Sequence, residues 1–198
     1  MSGTPWRVFI ARLAGVAVFD PNGDQVGRVR DVVVAVRGGR QPPRVLGLVV
    51  EVPMRRRIFL AMTRVTALDA GQVITTGVIN MRRFEQRIGE TLVLGEMFDR
   101  KVQLVPAPGS EDEPETVTVV DVAMEQTRTK DWEVTQLFVR RGGGGGFRRR
   151  GGTVVVDWAE VSGLAEPEAN QGTASLLATY EKMRPADLAR ALHDLSPK

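Results

Sequence analysis

The sequence contains no cysteine and a single histidine, His193, among its 198 residues. Without cysteine, disulfide bonds, thiolate metal sites and cysteine–histidine nucleophilic chemistry are all excluded. A hydrolytic triad would have to be built on His193, which lies within the last few residues of the chain. We therefore expect a protein that is not an enzyme.

No stretch of the sequence reaches the roughly 18 to 20 apolar residues that a membrane-spanning helix needs. The N-terminal sequence MSGTPWRVFIARLAG also lacks the long apolar run of a secretory signal peptide. Hydrophobic residues nevertheless make up 42% of the chain, which is enough to bury one large core or two small ones. These observations predict a cytoplasmic protein with folded domains.

The net charge of +3 is small, but the charged residues are unevenly distributed. The arginine clusters comprise Arg55, Arg56 and Arg57; Arg82, Arg83 and Arg87; and Arg140, Arg141, Arg148, Arg149 and Arg150, and the acidic run comprises Glu111, Asp112, Glu113 and Glu115. Runs of this kind are either solvated loop tips or binding surfaces, and the arginine clusters would suit anionic partners.

The sequence carries an internal repeat. Residues 26–34, 44–51 and 58–68 of the first copy correspond to residues 117–123, 132–140 and 154–164 of the second copy. Pairing Asp31 with Asp121, and Val65 with Val161, sets the copies about 90 to 96 residues apart, which is too far for a solenoid repeat. The repeat predicts two small β-domains.

Glycines mark the turns and close contacts of the first copy. The pair Asn22-Gly23 predicts a tight hairpin, because both central positions of such a turn tolerate positive φ. Gly27 lies in a valine-rich stretch and indicates a β-bulge or a close backbone approach. The apolar run 45–50, which includes Gly47, predicts a strand covered on both sides or curled within a small barrel.

Several polar and aromatic residues have structural explanations. Asp31 and Asp121 occupy the same place in the two copies, so we expect their carboxylates to bind turn backbone amides or a neighbouring arginine. Trp132 and Trp158 lie beside strands with apolar neighbours, as does Trp6. This setting favours core packing or packing between domains over stacking against nucleobases.

The second copy differs from the first in two loops, an acidic loop at 106–115 and a Gly/Arg loop at 141–152. Five consecutive glycines do not predict a phosphate-binding loop, because the required following Lys-Ser or Lys-Thr is absent. We interpret the Gly/Arg loop as a flexible hairpin tip at the place where the first copy has its Arg55–57 cluster. The arginines of these two tips, Arg55, Arg56, Arg57, Arg140, Arg141, Arg148, Arg149 and Arg150, are the predicted partner-binding residues.

The first copy resembles the PRC-barrel family. The resemblance rests on the leading Gly15, an Asp-x-x-Gly turn ending at Gly23, the pattern Gly27-x-Val-x-Asp31, and the apolar strand that contains Gly47. It implies a mainly β fold of two small antiparallel PRC-type β-barrels in tandem. The first barrel would span 6–77 and a degenerate second barrel 93–166, with a connector at 78–92.

The C-terminal segment 183–197 is similar to the first repeat of the N-terminal domain of MgtE magnesium transporters. The spacing of its leucines predicts an α-helical hairpin at 173–198, the start of such a domain. The resemblance implies a piece of a longer, CBS-containing, magnesium-transporter-like protein in which Mg²⁺ has a role. Asp187 and Asp194 are the nearest candidate ligands here, but they form no ligand motif of fixed spacing, so we predict no metal or cofactor in this chain.

We expect a non-enzymatic interaction and regulatory module that binds a protein partner, such as a transporter or another membrane-associated protein, or a second copy of itself. One alternative is association with RNA or the ribosome, because PRC-barrels also resemble a domain of the ribosome-maturation protein RimM and residues 146–152 resemble an RGG segment. A second alternative is peripheral contact with the anionic inner face of the membrane, as the PRC-barrel of the photosynthetic reaction-centre H subunit implies.

Overall fold

Strands form wherever the sequence is rich in β-branched residues. The computed structural model describes residues 7–38, 40–69, 71–106, 113–142 and 152–164. The strands in these ranges are β1 (Arg7–Phe9), β2 (Ala17–Phe19), β3 (Gln25–Ala35), β4 (Arg44–Val52), β5 (Arg56–Ala61), β6 (Val65–Leu68), β7 (Gln72–Thr75), β8 (Glu90–Leu92), β9 (Lys101–Leu104), β10 (Glu115–Gln126), β11 (Trp132–Arg141), β12 (Thr153–Asp157) and β13 (Val161–Ser162). They all belong to one unit, Met1–Ser162, and a second unit begins at Gly163.

The helical segments of the described chain are single turns. They are the 3₁₀ turns Ile10–Leu13, Pro53–Arg55, Met62–Arg64 and Trp158–Glu160 and the π-helical turn Val93–Met97. We call Ile10–Leu13 the first opening turn and Val93–Met97 the second opening turn. The predicted helical hairpin at 173–198 lies outside the described residues.

The two copies of the repeat have the same strand register. In the first copy Asp31 lies opposite Val49 and Val32 opposite Leu48; in the second, Asp121 lies opposite Phe138 and Val122 opposite Leu137. Each long strand, β3 or β10, also has two register shifts at equivalent positions. Val32, Val33 and Val34 are all fully buried, and no register shift separates Val32 from Val33, so both faces of β3 are covered here.

The predicted architecture of two closed barrels is wrong, because the described strands form one open, 13-stranded sheet. Its main path runs β13-β9-β10-β11-β4-β3-β2-β7-β6, and it crosses from one copy to the other between β11 and β4. At this crossing Glu133 lies opposite Arg44, and the Val134 amide donates a hydrogen bond of 2.9 Å to the Pro43 carbonyl. We call the contact between residues 37–44 and 131–134 the seam.

Each copy also gives its opening strand to the other copy. β1 pairs with β10, with Phe9 opposite Ala123, while β8 pairs with β3, with Leu92 opposite Val33. The opening turns that follow these strands contact each other, and they bury Ile10, Leu13, Val93 and Met97 completely. The copies therefore share one core, which is the physical reason that they do not close into separate barrels.

The β2–β3 hairpin is built around an aspartate. The Asp20 carboxylate accepts hydrogen bonds of 2.9 Å from the backbone amides of Asn22 and Asp24. Gly23 has φ 89°, whereas Asn22 does not have positive φ, so only one of the two residues uses the conformation that the Asn-Gly pair predicts.

Candidate interaction surface

The β4–β5 hairpin ends in an exposed basic tip, which we define as residues 53–57. Met54 (φ 64°) and Arg55 (φ 56°) are both in the left-handed region, and the Met54 side chain is fully exposed. The left-handed conformation costs a non-glycine residue about 1–2 kcal/mol. The basic tip thus exposes the apolar Met54 side chain to solvent. The backbone at Met54 is strained, and arginines follow it in the sequence.

The charges of the basic tip are not neutralised within the described chain. Arg55, Arg56 and Arg57 are exposed, and none of them forms an ion pair with a described residue. The nearby carboxylate of Glu51 is bound by Arg30 at 2.6 Å. This hydrogen bond is the main reason that the pKa of Glu51 is lowered, and Arg57 and Arg55 lower it further.

A groove of about 560 Å³ adjoins the basic tip. The Phe84 amide donates a hydrogen bond of 2.8 Å to the Arg57 carbonyl, and the Phe84 ring stacks on Phe59 with ring centroids 6.2 Å apart. We call this groove the connector groove; it is lined by Phe59, Asn80, Arg82, Arg83, Phe84, Glu85, Gln86, Arg87 and Glu90. It combines an aromatic wall with three arginines.

The connector groove was not predicted from the sequence, although the sequence contains a signal for it. Met54-Arg-Arg-Arg57 at the tip and Met81-Arg-Arg-Phe84 in the connector share the Met-Arg-Arg pattern. Antiparallel pairing between Ile58 and Arg83 brings the two segments together. The chain also exposes Val78, Met81 and Ile88 around these arginines. Exposed apolar residues beside cations are the composition of an interaction surface.

The arginines predicted for the second tip lie elsewhere. β4 and β11 run antiparallel and meet only at Arg44 and Glu133, so they extend in opposite directions and their distal hairpin tips lie at opposite ends of the sheet. Arg140 and Arg141 are exposed at the far end, whereas Arg148, Arg149 and Arg150 lie outside the described residues. The structure therefore does not bring the two predicted arginine tips together.

The groove described at the far end of the sheet differs in charge from the basic tip. A groove of about 490 Å³ there is lined by Leu104, Val105, Pro106, Glu113, Glu115, Arg141, Val156 and Glu160. Arg141 lies 3.2 Å from Glu115, which neutralises its charge locally. Three carboxylates and one paired arginine make this groove acidic.

Asp31 and Asp121 hold the opening turns. The Asp31 carboxylate accepts hydrogen bonds from the amides of Val32 (2.7 Å), Leu94 (2.8 Å) and Gly95 (3.0 Å). Asp121 accepts from Val122 (2.7 Å) and Ala11 (3.0 Å). Burial raises the pKa of Asp31, although these three amides act in the opposite direction. Each aspartate thus binds the backbone of the turn that follows the exchanged strand.

The other residues predicted to be structural are in tight or buried places. Trp132 and Trp158 are both buried. A Cβ atom on Gly27 would lie 2.3 Å from the Glu51 carbonyl oxygen, and one on Gly47 would lie 2.3 Å from that of Leu60. Gly15 of the first copy has φ 82°. The equivalent residue of the second copy is Asp99, which lies just before β9 and has φ 60°. A left-handed residue is thus present in both copies, although the second copy has no glycine there.

Within the described ranges, no group of three or more acidic or histidine side chains is placed to hold a metal ion. Asp187 and Asp194 lie outside those ranges. The described residues also include no helix that is long and apolar enough to cross a membrane.

One comparison with known proteins bears on the second copy. Residues 91–167 match the family described as the Actinomycetes SH3 domain. The match begins in β8 and covers β9–β13, fewer than half of the 198 residues. No curated protein matches the chain. The second copy is therefore similar to an SH3-like domain.

Proposed function

We propose that this protein is a non-enzymatic interaction module that binds an acidic protein partner through the basic tip and the connector groove. The observation that carries the proposal is the fully exposed Met54, held in a left-handed conformation among three exposed arginines. The SH3-like match lies in the second copy and not at this face; it supports the general role alone, because SH3-type domains generally mediate protein–protein interactions.

The chemistry of this face suits a partner that combines carboxylates with an apolar side chain. Met54 is flexible and polarisable, so it adapts to an irregular apolar surface. The stacked rings of Phe59 and Phe84 offer a further apolar wall, and the guanidinium groups around them attract acidic residues and accelerate association. No comparable carboxylate is free at the tip, because Glu51 is already bound by Arg30.

The regulatory setting of the module is a further part of the proposal. The motif around Gly15, Gly27 and Asp31 supports membership of the PRC-barrel family, and residues 183–197 support an MgtE-like continuation. On this basis the module acts in the cytosol as part of a magnesium-transporter-like protein. The partner is then a protein of that assembly.

The proposal is tested by comparing two variants with equal loss of charge. In the tip variant, Arg55, Arg56 and Arg57 are replaced by alanine. In the control variant, three exposed arginines outside this face are replaced by alanine, namely Arg12, Arg40 and Arg128. Proteins captured from cell extract by the immobilised full chain are identified, and each is then titrated against the wild type and both variants.

We expect at least one acidic protein to bind the wild type and the control variant equally and the tip variant at least about tenfold more weakly, a loss of about 1.4 kcal/mol. Equal weakening by both variants would mean non-specific attraction to positive charge and would overturn the proposal. Capture that disappears after ribonuclease treatment would instead favour RNA. Selective binding of the wild type to vesicles of anionic lipid would favour the membrane.

A further inference from the structure

Among the residues that the structure describes, three recorded ion pairs join the two copies, and the signs of their charges are divided between the copies. Arg7 pairs with Glu125, Arg37 with Glu133, and Arg44 with Asp131. Every arginine comes from the first copy and every carboxylate from the second copy. Two of these pairs, Arg37–Glu133 and Arg44–Asp131, lie at the seam, which therefore has a basic side and an acidic side.

This division of charge disfavours the pairing of either copy with itself. Arg44 and Glu133 are equivalent residues of the repeat, and they lie directly opposite each other at the seam. A symmetric pair of first copies would place Arg44 opposite Arg44, and a pair of second copies would place Glu133 opposite Glu133. Like charges directly opposite each other on neighbouring strands are destabilising, so only the mixed pair is favoured.

The exchanged strands give the mixed pair its apolar contacts. On the β10 edge, β1 adds an extended Arg-Val-Phe segment, and the first opening turn then buries Ile10 and Leu13. On the β3 edge, β8 and the second opening turn supply Val93 and Met97 in the same way. The segment that matches the SH3-like family therefore receives one of its strands from residues 7–9.

We propose that the β10 edge and the acidic side of the seam form a binding surface whose partner is the first copy of the repeat, recognised by its basic seam and its extended β1 strand. The two copies are thus a self-recognising, mixed pair that does not depend on the covalent connector. It follows that the SH3-like segment is not a self-sufficient module, and that cutting the connector leaves a stable one-to-one complex.

The test uses the full chain, with a specific protease site inserted between the exposed residues Gly77 and Val78. After cleavage, we expect the two pieces to remain together at about 1 μM, a concentration at which a pair with nanomolar affinity stays associated. Size-exclusion chromatography with light scattering should give the mass of one uncut chain. Separation of the wild-type pieces, or their exchange into pairs of identical pieces, would overturn the proposal.

Charge reversal tests the role of the seam. Replacing Asp131 and Glu133 by arginine should weaken the cut complex at least tenfold, and the further changes Arg37→Glu and Arg44→Glu should restore it. Failure of the second pair of changes to restore binding would show that the charges do not determine the pairing.

A salt titration of the cut wild-type complex provides a second measurement if the reversed chain does not fold. Between about 0.1 M and about 1 M salt the screening length falls from about 10 Å to about 3 Å. We expect the dissociation constant to rise at least tenfold over this range. An unchanged or smaller dissociation constant would contradict recognition through the seam.

Discussion

Replacing Asp31 with alanine should destabilise the protein more than the same change at the equivalent Asp121. Asp31 is buried and accepts three backbone hydrogen bonds, two of them from the second opening turn. Asp121 is only partly buried and accepts two, one of them from Ala11 of the first opening turn. The repeat therefore provides an internal comparison between the same side chain in two settings.

The magnitude follows from the groups that each change leaves unpaired. A hydrogen bond to a charged group contributes about 1.5–3 kcal/mol, and the bonds of one carboxylate are not additive. Burial of the Asp31 carboxylate, which raises its pKa, offsets part of this gain. We expect the free energy of unfolding to fall by about 2–3 kcal/mol for Asp31→Ala and, because solvent can replace the lost partner, by about 1 kcal/mol for Asp121→Ala.

Urea unfolding followed by tryptophan fluorescence measures both values, because Trp132 and Trp158 are buried in the native state. The slopes of the two variants should equal that of the wild type, which would show that the surface exposed on unfolding is unchanged. A loss below about 0.5 kcal/mol for Asp31→Ala would refute the reasoning, since surface substitutions commonly have effects of that size. A larger loss for Asp121→Ala than for Asp31→Ala would refute it equally.

Three further predictions concern single residues. Gly47→Ala should lower the free energy of unfolding by about 1–3 kcal/mol, because the new methyl group would clash with the Leu60 carbonyl oxygen. The control is Gly38→Ala, where a Cβ atom would have no neighbour within 4 Å, and it should change the free energy of unfolding by less than about 0.5 kcal/mol. Urea unfolding measures both values. Met54→Gly should raise the free energy of unfolding by about 0.5–1 kcal/mol through relief of left-handed strain, while weakening partner binding in titrations. Burial raises the pKa of Asp31, so the part of its stabilising effect that is linked to protonation is fully present below its unfolded pKa and is lost as pH rises through its folded pKa. The wild type should therefore gain stability relative to Asp31→Asn as pH falls. An equal stability difference at every pH, measured by urea unfolding in the acid range, would contradict this.

Local sequence signals account for much of what the structure contains. Valine-rich stretches and the spacing of the repeat place the long strands β3, β4, β10 and β11, because strand formation there follows side-chain type and burial. The close backbone approach at Gly27 is likewise visible in the sequence, since only glycine leaves room beside the Glu51 carbonyl. These features depend on residues near each other along the chain or on equivalent residues of the repeat.

The partners of the short strands could not be predicted in the same way. β1 and β8 are three residues long, and nothing in Arg7–Phe9 specifies pairing with Ala123–Glu125 rather than with the nearer β3. The choice depends on the fit of the opening turns against the shared core and on charges brought together only at the seam. The prediction of separate barrels failed because it assigned each short strand to its own copy.

The comparison between the copies also distinguishes scaffold from surface. Both copies keep the bulged long strand, the aspartate that binds an opening turn, and a left-handed residue at Gly15 or Asp99, because the shared core requires each of them. The grooves at the two ends share no such requirement, and they have diverged to an arginine-rich groove beside Phe84 and an acidic groove beside Glu160. The two described grooves lie at opposite ends of the sheet and differ in charge, so a partner of the connector groove meets no equivalent groove among the described residues of the other end. This difference between the two grooves therefore predicts one acidic partner for each chain, at the basic tip, rather than two.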